Sequence, residues 1–227
     1  MSKGLFITGT GTDVGKTYIS GLILKKLREN GLSCGYFKAA MSGNVRDDNG
    51  KLIPGDAAFV KQISGISQAL EDTCPYVYER AVSPHLAARL EGNPVDMKTV
   101  KEYYAKAAQS ADYLLTEGSG GIICPIRKDE QTILLEDIIK ELSLPCVIVA
   151  DAGLGTINSV VLTYEYMKAH SIPVKGIILN NFHDGDVMEE DNKVMCELLT
   201  GLKVIACVGE NETDLKTDAQ TLAALFE

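Results

Sequence analysis

A glycine-rich loop near the beginning of the chain constrains the fold more than any other feature. It reads Thr-Gly-Thr-Gly-Thr-Asp-Val-Gly-Lys-Thr over residues 8–17, directly after an apolar run at 4–7 and directly before a helical pattern at 18–24. Glycines let the backbone curl so that successive N–H groups point at an anion, and the helix adds its positive N-terminal end. The segment therefore predicts a phosphate-binding loop between a strand and a helix.

Two side chains at the end of this loop suit a nucleoside triphosphate. Lys16 is placed to reach the β- and γ-phosphates, and the hydroxyl of Thr17 is placed to take a magnesium position. The loop departs from the common G-x-x-x-x-G-K-[ST] pattern, because residue 10 is Thr10 and the glycine stands one residue earlier, at Gly9. This departure restricts the families of nucleotide-binding proteins to which the chain can belong.

The chain is acidic, and it is apolar enough to form a full core. Its 227 residues are 45% hydrophobic and carry a formal net charge of −9. An acidic surface disfavours non-specific binding to nucleic acid or anionic membranes, and no apolar run approaches the ~20 residues that span a bilayer. We therefore expect no nucleic-acid partner and no membrane segment.

Six cysteines are scattered along the chain without a C-x-x-C pair. This distribution favours buried thiols in a reducing compartment over zinc ligands or disulfides. The first residues enter a strand pattern at once and do not resemble a signal peptide. We therefore expect a cytoplasmic protein.

Apolar strand patterns alternate with helical patterns along the chain. Strands rich in β-branched residues and separated by long helical crossovers indicate a three-layer α/β fold of the P-loop NTPase type, with a mostly parallel sheet and helices on both faces. We expect residues 1–227 to form one domain, since no repeat or linker interrupts them. Strands are predicted at 3–8, 34–39, 112–117, 145–150, 174–180 and 203–207. Helices are predicted near 17–29, 56–64, 84–91, 96–109, 133–142, 156–170, 187–200 and 214–226.

Ligands of parallel sheets lie beyond the carboxyl ends of the strands, so the residues that follow each strand are candidates for chemistry. Lys38 ends the second predicted strand, and Ser42 follows in a loop that approaches the same edge. Alone, Lys38 would be an ordinary solvated strand end. A second cation beside Lys16, however, suits a reaction that builds negative charge on two substrates at once.

Two carboxylates are candidates for a magnesium site. Glu117 ends the third predicted strand, ahead of a glycine-rich stretch at 118–121 that lets backbone approach a ligand. Asp56 opens a predicted helix. Mg²⁺ prefers a few carboxylates together with phosphate oxygens and waters, which makes Glu117 and Asp56 a natural pair. Considered alone, Asp56 favours a different interpretation, as the N-cap of its helix.

Two further segments leave alternatives open. The residues from Thr156 to Asn158 begin a helix after Gly153 and Gly155. Their free N–H groups would hold a carboxylate, or Thr156 would simply cap the helix. Asn180 ends a strand, where its amide would contact a purine edge or serve in a turn.

Taken in order, these segments resemble the dethiobiotin synthetase family. The family's longer phosphate loop, G-T-x-T-x-V-G-K-T, is matched by residues 9–17, and its Leu-Gly-Thr-Ile-Asn segment is matched in full at 154–158. Its Lys-Pro-x-x-Ser-Gly, Ser-Pro-His and Glu-Gly-Ala-Gly-Gly segments are similar to residues 38–43, 83–85 and 117–121. The matches run in order over most of the chain.

The resemblance implies an ATP- and Mg²⁺-dependent ligase of biotin biosynthesis. Such an enzyme adds CO2, in equilibrium with bicarbonate, to 7,8-diaminopelargonate and closes the ureido ring of dethiobiotin. The reaction would pass through a carbamate and a carbamic–phosphoric anhydride and would release ADP and phosphate. The resemblance also implies a homodimer with the substrate site at its interface.

The same resemblance implies a role for each candidate residue. ATP would be bound by Gly11, Thr12, Asp13, Val14, Gly15, Lys16, Thr17, Glu117 and Asn180. Magnesium would be held by Thr17, Asp56 and Glu117. The diamine and its carbamate would be bound by Thr12, Lys38, Ser42 and Gly118, and the substrate carboxylate by the partner's helix start at Gly155, Thr156, Ile157 and Asn158. The residues implied in catalysis are Lys16, Lys38, Thr12 and Ser42.

Three places depart from the family pattern. Ala39 replaces the usual proline after Lys38, and Ser119 replaces an alanine in the glycine-rich stretch. Residues 206–209, Ala-Cys-Val-Gly, stand where the family tends to have Gly-x-x-Pro beside the adenine. The sequence therefore predicts binding of the nucleotide's phosphates more directly than selectivity for adenine over other bases.

Two other classes of protein also carry a phosphate loop. A partition-type or iron-protein-type ATPase switch typically has an extra lysine early in the loop, where this chain has Thr10, Gly11 and Thr12. A regulatory nucleotide-sensing domain of the same fold predicts loss of the catalytic residues, whereas both lysines and both carboxylates are present. The sequence favours the ligase over these alternatives.

Overall fold

The computed structural model describes residues 2–227. The strands are β1 Lys3–Gly9, β2 Cys34–Phe37, β3 Ala40–Met41, β4 Val45–Arg46, β5 Leu52–Ile53, β6 Tyr76–Val77, β7 Tyr113–Glu117, β8 Pro125–Lys128, β9 Thr132–Leu134, β10 Cys146–Asp151, β11 Val174–Asn180 and β12 Val204–Val208. The helices are α1 Lys16–Glu29, α2 Gly55–Ser64, α3 Pro84–Glu91, α4 Met97–Gln109, α5 Leu135–Leu142, α6 Thr156–Ala169, α7 Val187–Thr200 and α8 Ala219–Ala224.

Six of the strands form one parallel sheet in the order β12-β11-β10-β1-β7-β2. Successive side chains of the central strand β1 enter two different cores, because strand side chains alternate between the faces of a sheet. Leu5 and Ile7 pack with α1, α2 and α8, whereas Phe6 packs with α3, α4 and α5. The predicted three-layer α/β fold is confirmed.

The strand order brings three loops to one place. β7 lies between β1 and β2, with Glu117 opposite Ile7 and Thr116 opposite Phe37. The segments that follow these strands are the phosphate loop, Lys38 and the glycine-rich stretch after Glu117. Because the three strands are parallel, all three segments leave the sheet at the same edge, as the sequence predicts.

Several element boundaries differ from the sequence prediction. The helix predicted from residue 133 begins at Leu135, after the short strand β9, because Asp137 accepts a hydrogen bond from Leu134 N at 2.7 Å and fixes the helix start. The last helix begins at Ala219 and not at 214, because the side chain of Asp218 accepts from the first free N–H groups. The second strand ends at Phe37, two residues earlier than predicted.

The described part of the chain has two further features that bear on its class. No helix within residues 2–227 is both long and apolar enough to cross a membrane. The six cysteines are free thiols, four of them buried.

Candidate active site

A cavity of about 460 Å³ lies at the carboxyl edge of the sheet, over β1, β7 and β2. Nine of the residues singled out in the sequence line it: Thr12, Asp13, Gly15, Lys16, Thr17, Lys38, Ser42, Asp56 and Glu117. The others lie outside its lining: Gly11, Val14, Gly118, Asn180 and the helix start at 155–158. Residues from four separate parts of the sequence therefore converge on one cavity.

Lys38 is held between two carboxylates in this cavity. Its Nζ donates to Asp56 Oδ2 at 2.6 Å and to Glu117 Oε1 at 2.7 Å. Thr17 Oγ1 donates to the same Glu117 oxygen at 2.8 Å. The hydroxyl at the start of α1, the lysine after β2 and the carboxylates of α2 and β7 thus form one connected cluster.

Burial and charge act in opposite directions on Lys38, which is 6% exposed. Burial by itself lowers the pKa of the ammonium, but the carboxylates of Glu117 and Asp56 outweigh that effect and raise the net pKa. Burial and the positive charge of Lys38 together lower the pKa of Lys16. The cavity therefore contains two cationic side chains in different environments, one ion-paired and one aimed at the phosphate loop.

The phosphate loop is already curled in this structure. Lys16 Nζ donates to Gly11 O at 2.7 Å, which folds the lysine back over its own loop. Gly15 precedes α1 with φ 93°, a left-handed conformation that favours glycine. A Cβ at Gly15 would also stand 2.2 Å from Asn180 Nδ2, so a side chain at this position would displace that amide.

Asn180 is the last residue of β11, as the sequence predicts. Its Nδ2 lies 3.3 Å from Val14 O, beside the phosphate loop. Its Oδ1 is buried and has no hydrogen-bond partner among the described residues. Unpartnered buried polar atoms are rare in folded proteins, which makes this amide oxygen a candidate group for binding a ligand's donor.

Asp56 does not cap its helix, and that interpretation is wrong. Helix α2 begins at Gly55, with Pro54 at the N-cap and no side-chain capping bond. Asp56 lies in the first turn, and its carboxylate accepts from Lys38 instead. Lys38 lies 18 positions away in the sequence. The tertiary fold, and not the local helix start, therefore determines the role of Asp56.

Thr156 does not cap α6 either. The N-cap is Gly155, with φ 91°, and Thr156 is the first helical residue. The Thr156 hydroxyl is buried and has no partner among residues 2–227. Gly155, Ile157 and Asn158 line a second groove of about 450 Å³, together with Leu154, Val161, Leu162, Asn192 and Leu199. Within one chain, this groove and the cavity around Lys38 are separate sites.

Two side chains near the cavity were not predicted from the sequence. Tyr36 OH donates to Glu117 Oε2 at 3.0 Å, and burial together with Glu117 raises the pKa of Tyr36 well above its usual value. Tyr36 stands two residues before Lys38, so alternation along the extended chain places both on one side. Ser119 Oγ donates to Ala40 O at 2.9 Å and ties the glycine-rich stretch to the loop after β2.

The residues at the centre of the cluster fit a magnesium ion. Their donors are all oxygens, namely two carboxylates and the Thr17 hydroxyl. Mg²⁺ commonly uses one or two carboxylates and completes its shell with substrate phosphates and waters. Lys38 is ion-paired with the same two carboxylates, so a bound Mg²⁺ would share them with its ammonium.

Comparison with solved structures identifies the fold. A ParA family ATPase from Chlorobium tepidum has a TM-score of 0.58 and 14% sequence identity, covering 99% of this chain and 90% of that one. The cell-division protein complex MinC:MinD of Aquifex aeolicus has a TM-score of 0.56 and 15% identity, covering 92% and 82%. At these identities the likeness concerns the P-loop fold alone.

Sequence comparison identifies the family. A family model described as an AAA domain matches residues 3–217. An ATP-dependent dethiobiotin synthetase of Brachyspira hyodysenteriae is 50% identical, and the match spans 100% of both chains. An enzyme of the same name from Clostridium botulinum strain 657 is 48% identical over 100% of this chain and 99% of its own, and one from Clostridium perfringens strain ATCC 13124 is 46% identical over 98% and 97%. The chain belongs to the family of ATP-dependent dethiobiotin synthetases.

Proposed function

We propose that this protein is an ATP-dependent ligase that converts 7,8-diaminopelargonate and CO2 into dethiobiotin. The observation that carries the proposal is the pairing of two lysines in one cavity: Lys16 in the phosphate loop and the buried Lys38 between Asp56 and Glu117. A partition-type ATPase switch typically carries its second lysine early in the phosphate loop, where this chain has Thr10, Gly11 and Thr12. A second preorganised cation is what a reaction between two anions requires, namely a carbamate and a γ-phosphate.

The chemistry proceeds in three steps. One amine of the substrate adds to CO2, loses a proton and becomes a carbamate. A carbamate oxygen attacks the γ-phosphorus of ATP and ADP leaves, which gives a carbamic–phosphoric anhydride. The neighbouring amine then attacks the carbonyl carbon, loses a proton and expels phosphate, so that the second C–N bond closes the ureido ring.

Each cavity residue has a role in that sequence. Lys16 and the backbone of the phosphate loop bind the ATP phosphates and stabilise the transferring group. Lys38 neutralises the carbamate as it approaches the phosphate, with Thr12 and Ser42 lining the same cavity on the substrate side. Asn180, beside the loop, contributes its buried amide to the adenine. We also propose that Gly118, packed closely against Phe6 and Leu135, shapes the floor near the diamine.

Thr17, Asp56 and Glu117 are the residues that would hold Mg²⁺. When bound, the ion would neutralise charge on the ATP phosphates during transfer. Tyr36 remains protonated and donates to Glu117, which keeps that carboxylate oriented into the cavity.

We propose that the enzyme is a homodimer joined through α6 and α7. Exposed apolar side chains collect on these two helices and the loop before α6: Leu154, Leu162, Val187, Met188, Val194, Leu198 and Leu199. Exposed apolar patches of this kind mark interaction sites. Three of these residues line the same groove as Gly155, Ile157 and Asn158, so a second copy seated there would bring that helix start to its own cavity.

Sedimentation equilibrium tests the dimer. The wild-type protein is expected at twice its chain mass of 24.5 kDa. Leu162→Glu, in the groove, is expected to give a monomer that still binds ATP but turns over the diamine at least about 100-fold more slowly, since the partner's contacts that orient the substrate are lost. Leu90→Glu on α3 changes another exposed leucine, which lies outside the groove, and should leave the dimer intact. A fully active monomer would contradict the proposal.

Two broader expectations remain proposals. We propose that residues 1–227 form a single domain, which the sharing of one six-stranded sheet by the first and last parts of the chain supports. We also propose a cytoplasmic location, which agrees with the six free thiols.

A substrate-dependence assay tests the proposed activity. Protein, bicarbonate and MgATP are mixed with or without 7,8-diaminopelargonate, and ADP and dethiobiotin are measured. ADP release is expected only with the diamine, and in equal amount to dethiobiotin. ADP release at the same rate without the diamine would contradict the proposal and favour the alternative of an ATPase switch.

A further inference from the structure

Two polar side chains hold the loop between β10 and α6, and neither was singled out in the sequence. Asn192, on α7, is 5% exposed. Its Nδ2 donates to Ala152 O at 2.9 Å and lies 3.2 Å from Gly153 O. A side chain of α7 thus satisfies two consecutive carbonyls of the loop that leads into α6.

Asp151 holds the same loop from the other side. Its Oδ1 accepts from Gly153 N at 2.9 Å, and its Oδ2 accepts from Asn181 Nδ2 at 2.8 Å. Ala152 N also donates to Asn180 O at 2.8 Å. The loop is therefore bound to the end of β11, immediately beside the amide that faces the phosphate loop.

The loop has little else to fix it. Gly153 and Gly155 give its backbone wide freedom, and Gly155 uses that freedom at φ 91°. Leu154, between them, is 91% exposed and packs on nothing substantial within the chain. Ala152 packs in the core at the start of the loop, but no apolar side chain in the described part of the chain anchors Gly153–Gly155, so the hydrogen bonds from Asn192 and Asp151 set the course of that part.

The position of this loop decides where α6 begins. Thr156 is its first residue and is 4% exposed, and its buried hydroxyl has no partner among the described residues. An anionic group brought by a ligand would meet the free N–H groups of this helix start.

From these contacts we infer that Asn192 is a positioning residue, which acts with Asp151 to hold the Gly153–Thr156 segment where the substrate carboxylate binds. The inference rests on the proposed function for the identity of the anion. Asn192 and Asp151 touch the loop and not the substrate. Their loss should therefore weaken binding of the diamine while leaving the ATP cavity around Lys16 and Lys38 unchanged.

Asn192→Leu keeps the approximate size of the side chain and removes the donor. The expected result is a rise of about 10-fold in the KM for 7,8-diaminopelargonate, the effect of losing one buried hydrogen bond at a binding loop. The KM for ATP and kcat should each change by less than about 3-fold, which corresponds to less than half of the free-energy change behind a 10-fold rise in KM. Asp151→Ala, at an exposed position that does not endanger folding, should shift the same KM in the same direction.

Thr200→Val is the matched control on the same helix. Thr200 is buried, and its hydroxyl donates to Cys196 O at 2.6 Å and accepts from Leu202 N at 3.1 Å, both remote from the loop. The change should lower the thermal unfolding temperature without altering either KM. This separates a loss of α7 stability from a loss of loop position.

Hydrogen–deuterium exchange of the loop provides a readout that needs no substrate. Amides 153–156 are expected to exchange faster in Asn192→Leu and Asp151→Ala than in the wild type or Thr200→Val. Unchanged exchange overturns the inference, and so does faster exchange with an unchanged KM for the diamine. A wild-type protein that does not convert the diamine at all would instead refute the proposed function, and with it the assignment of this loop to a substrate carboxylate.

Discussion

Lys38→Met is expected to lower kcat for dethiobiotin formation by about 100-fold or more, the usual effect of removing one preorganised charge-stabilising donor from an active site. The methionine has nearly the same length and no charge. The carbamate would then approach the γ-phosphate without a neutralising cation beside it. ATP binding should change little, because Lys16 and the phosphate loop are intact.

The same substitution has a structural consequence that does not depend on activity. Lys38 forms ion pairs with Glu117, whose side chain is fully buried, and with Asp56, which is 38% exposed. Removing one partner of a buried ion pair lowers the free energy of unfolding by about 3–5 kcal/mol. We expect about 3 kcal/mol here, because the partly exposed Asp56 remains solvated. Mg²⁺ should recover part of this loss, since the two carboxylates then lack a counter-charge.

Rate assays and thermal unfolding with and without MgCl2 check this prediction. Lys61→Met is the control, because Lys61 Nζ donates to the neutral Gln68 O outside the cavity. Mg²⁺ should raise the unfolding temperature of Lys38→Met more than that of the wild type or the control. A Lys38→Met enzyme with near-normal turnover would show that the second lysine has been misassigned.

Lys16→Ala should have the largest effect on the nucleotide. Its ammonium is the charge of the phosphate loop, and it lies within reach of the loop carbonyl at Gly11 before any ligand arrives. We expect kcat/KM for ATP to fall by about 1000-fold or more, since the same group binds the phosphates and stabilises the transferring phosphoryl group. Diamine binding, measured by calorimetry without nucleotide, should persist.

The two lysines are therefore distinguished by which substrate each variant loses. Lys16→Ala should abolish calorimetric binding of a non-hydrolysable ATP analogue, whereas Lys38→Met should retain it. If both variants lost the nucleotide equally, the division of the cavity into a phosphate side and a carbamate side would be wrong.

Much of the cavity could be predicted from the sequence because parallel strands deliver their C-terminal residues to one edge. That rule alone places Lys38 and Glu117 near the phosphate loop. It does not give distances, so the bridging of Asp56 and Glu117 by Lys38 could not be predicted. The local sequence also allowed a helix cap for Asp56, the common role of an aspartate that opens a helix, because it carries no information on the distance to Lys38.

Other features leave too little pattern in the sequence. The hairpins formed by β4 and β5 and by β8 and β9 have strands of two to four residues, too short for a clear alternation of apolar and polar side chains. Tyr36 looks like any core aromatic residue until its hydroxyl is placed beside Glu117. Asn192 lies in an acidic helix, where nothing local indicates that it binds a loop 40 positions away.

Isotope labelling follows the carbon of CO2, which should become the ring carbonyl of the product at the expense of one ATP. The enzyme is incubated with 7,8-diaminopelargonate, MgATP and ¹³C-bicarbonate, and the product is examined by mass spectrometry and ¹³C NMR. We expect dethiobiotin with a single ¹³C at the ureido carbonyl, and equal amounts of ADP and phosphate. ADP formation without incorporation of ¹³C into the ureido ring would contradict the proposed reaction.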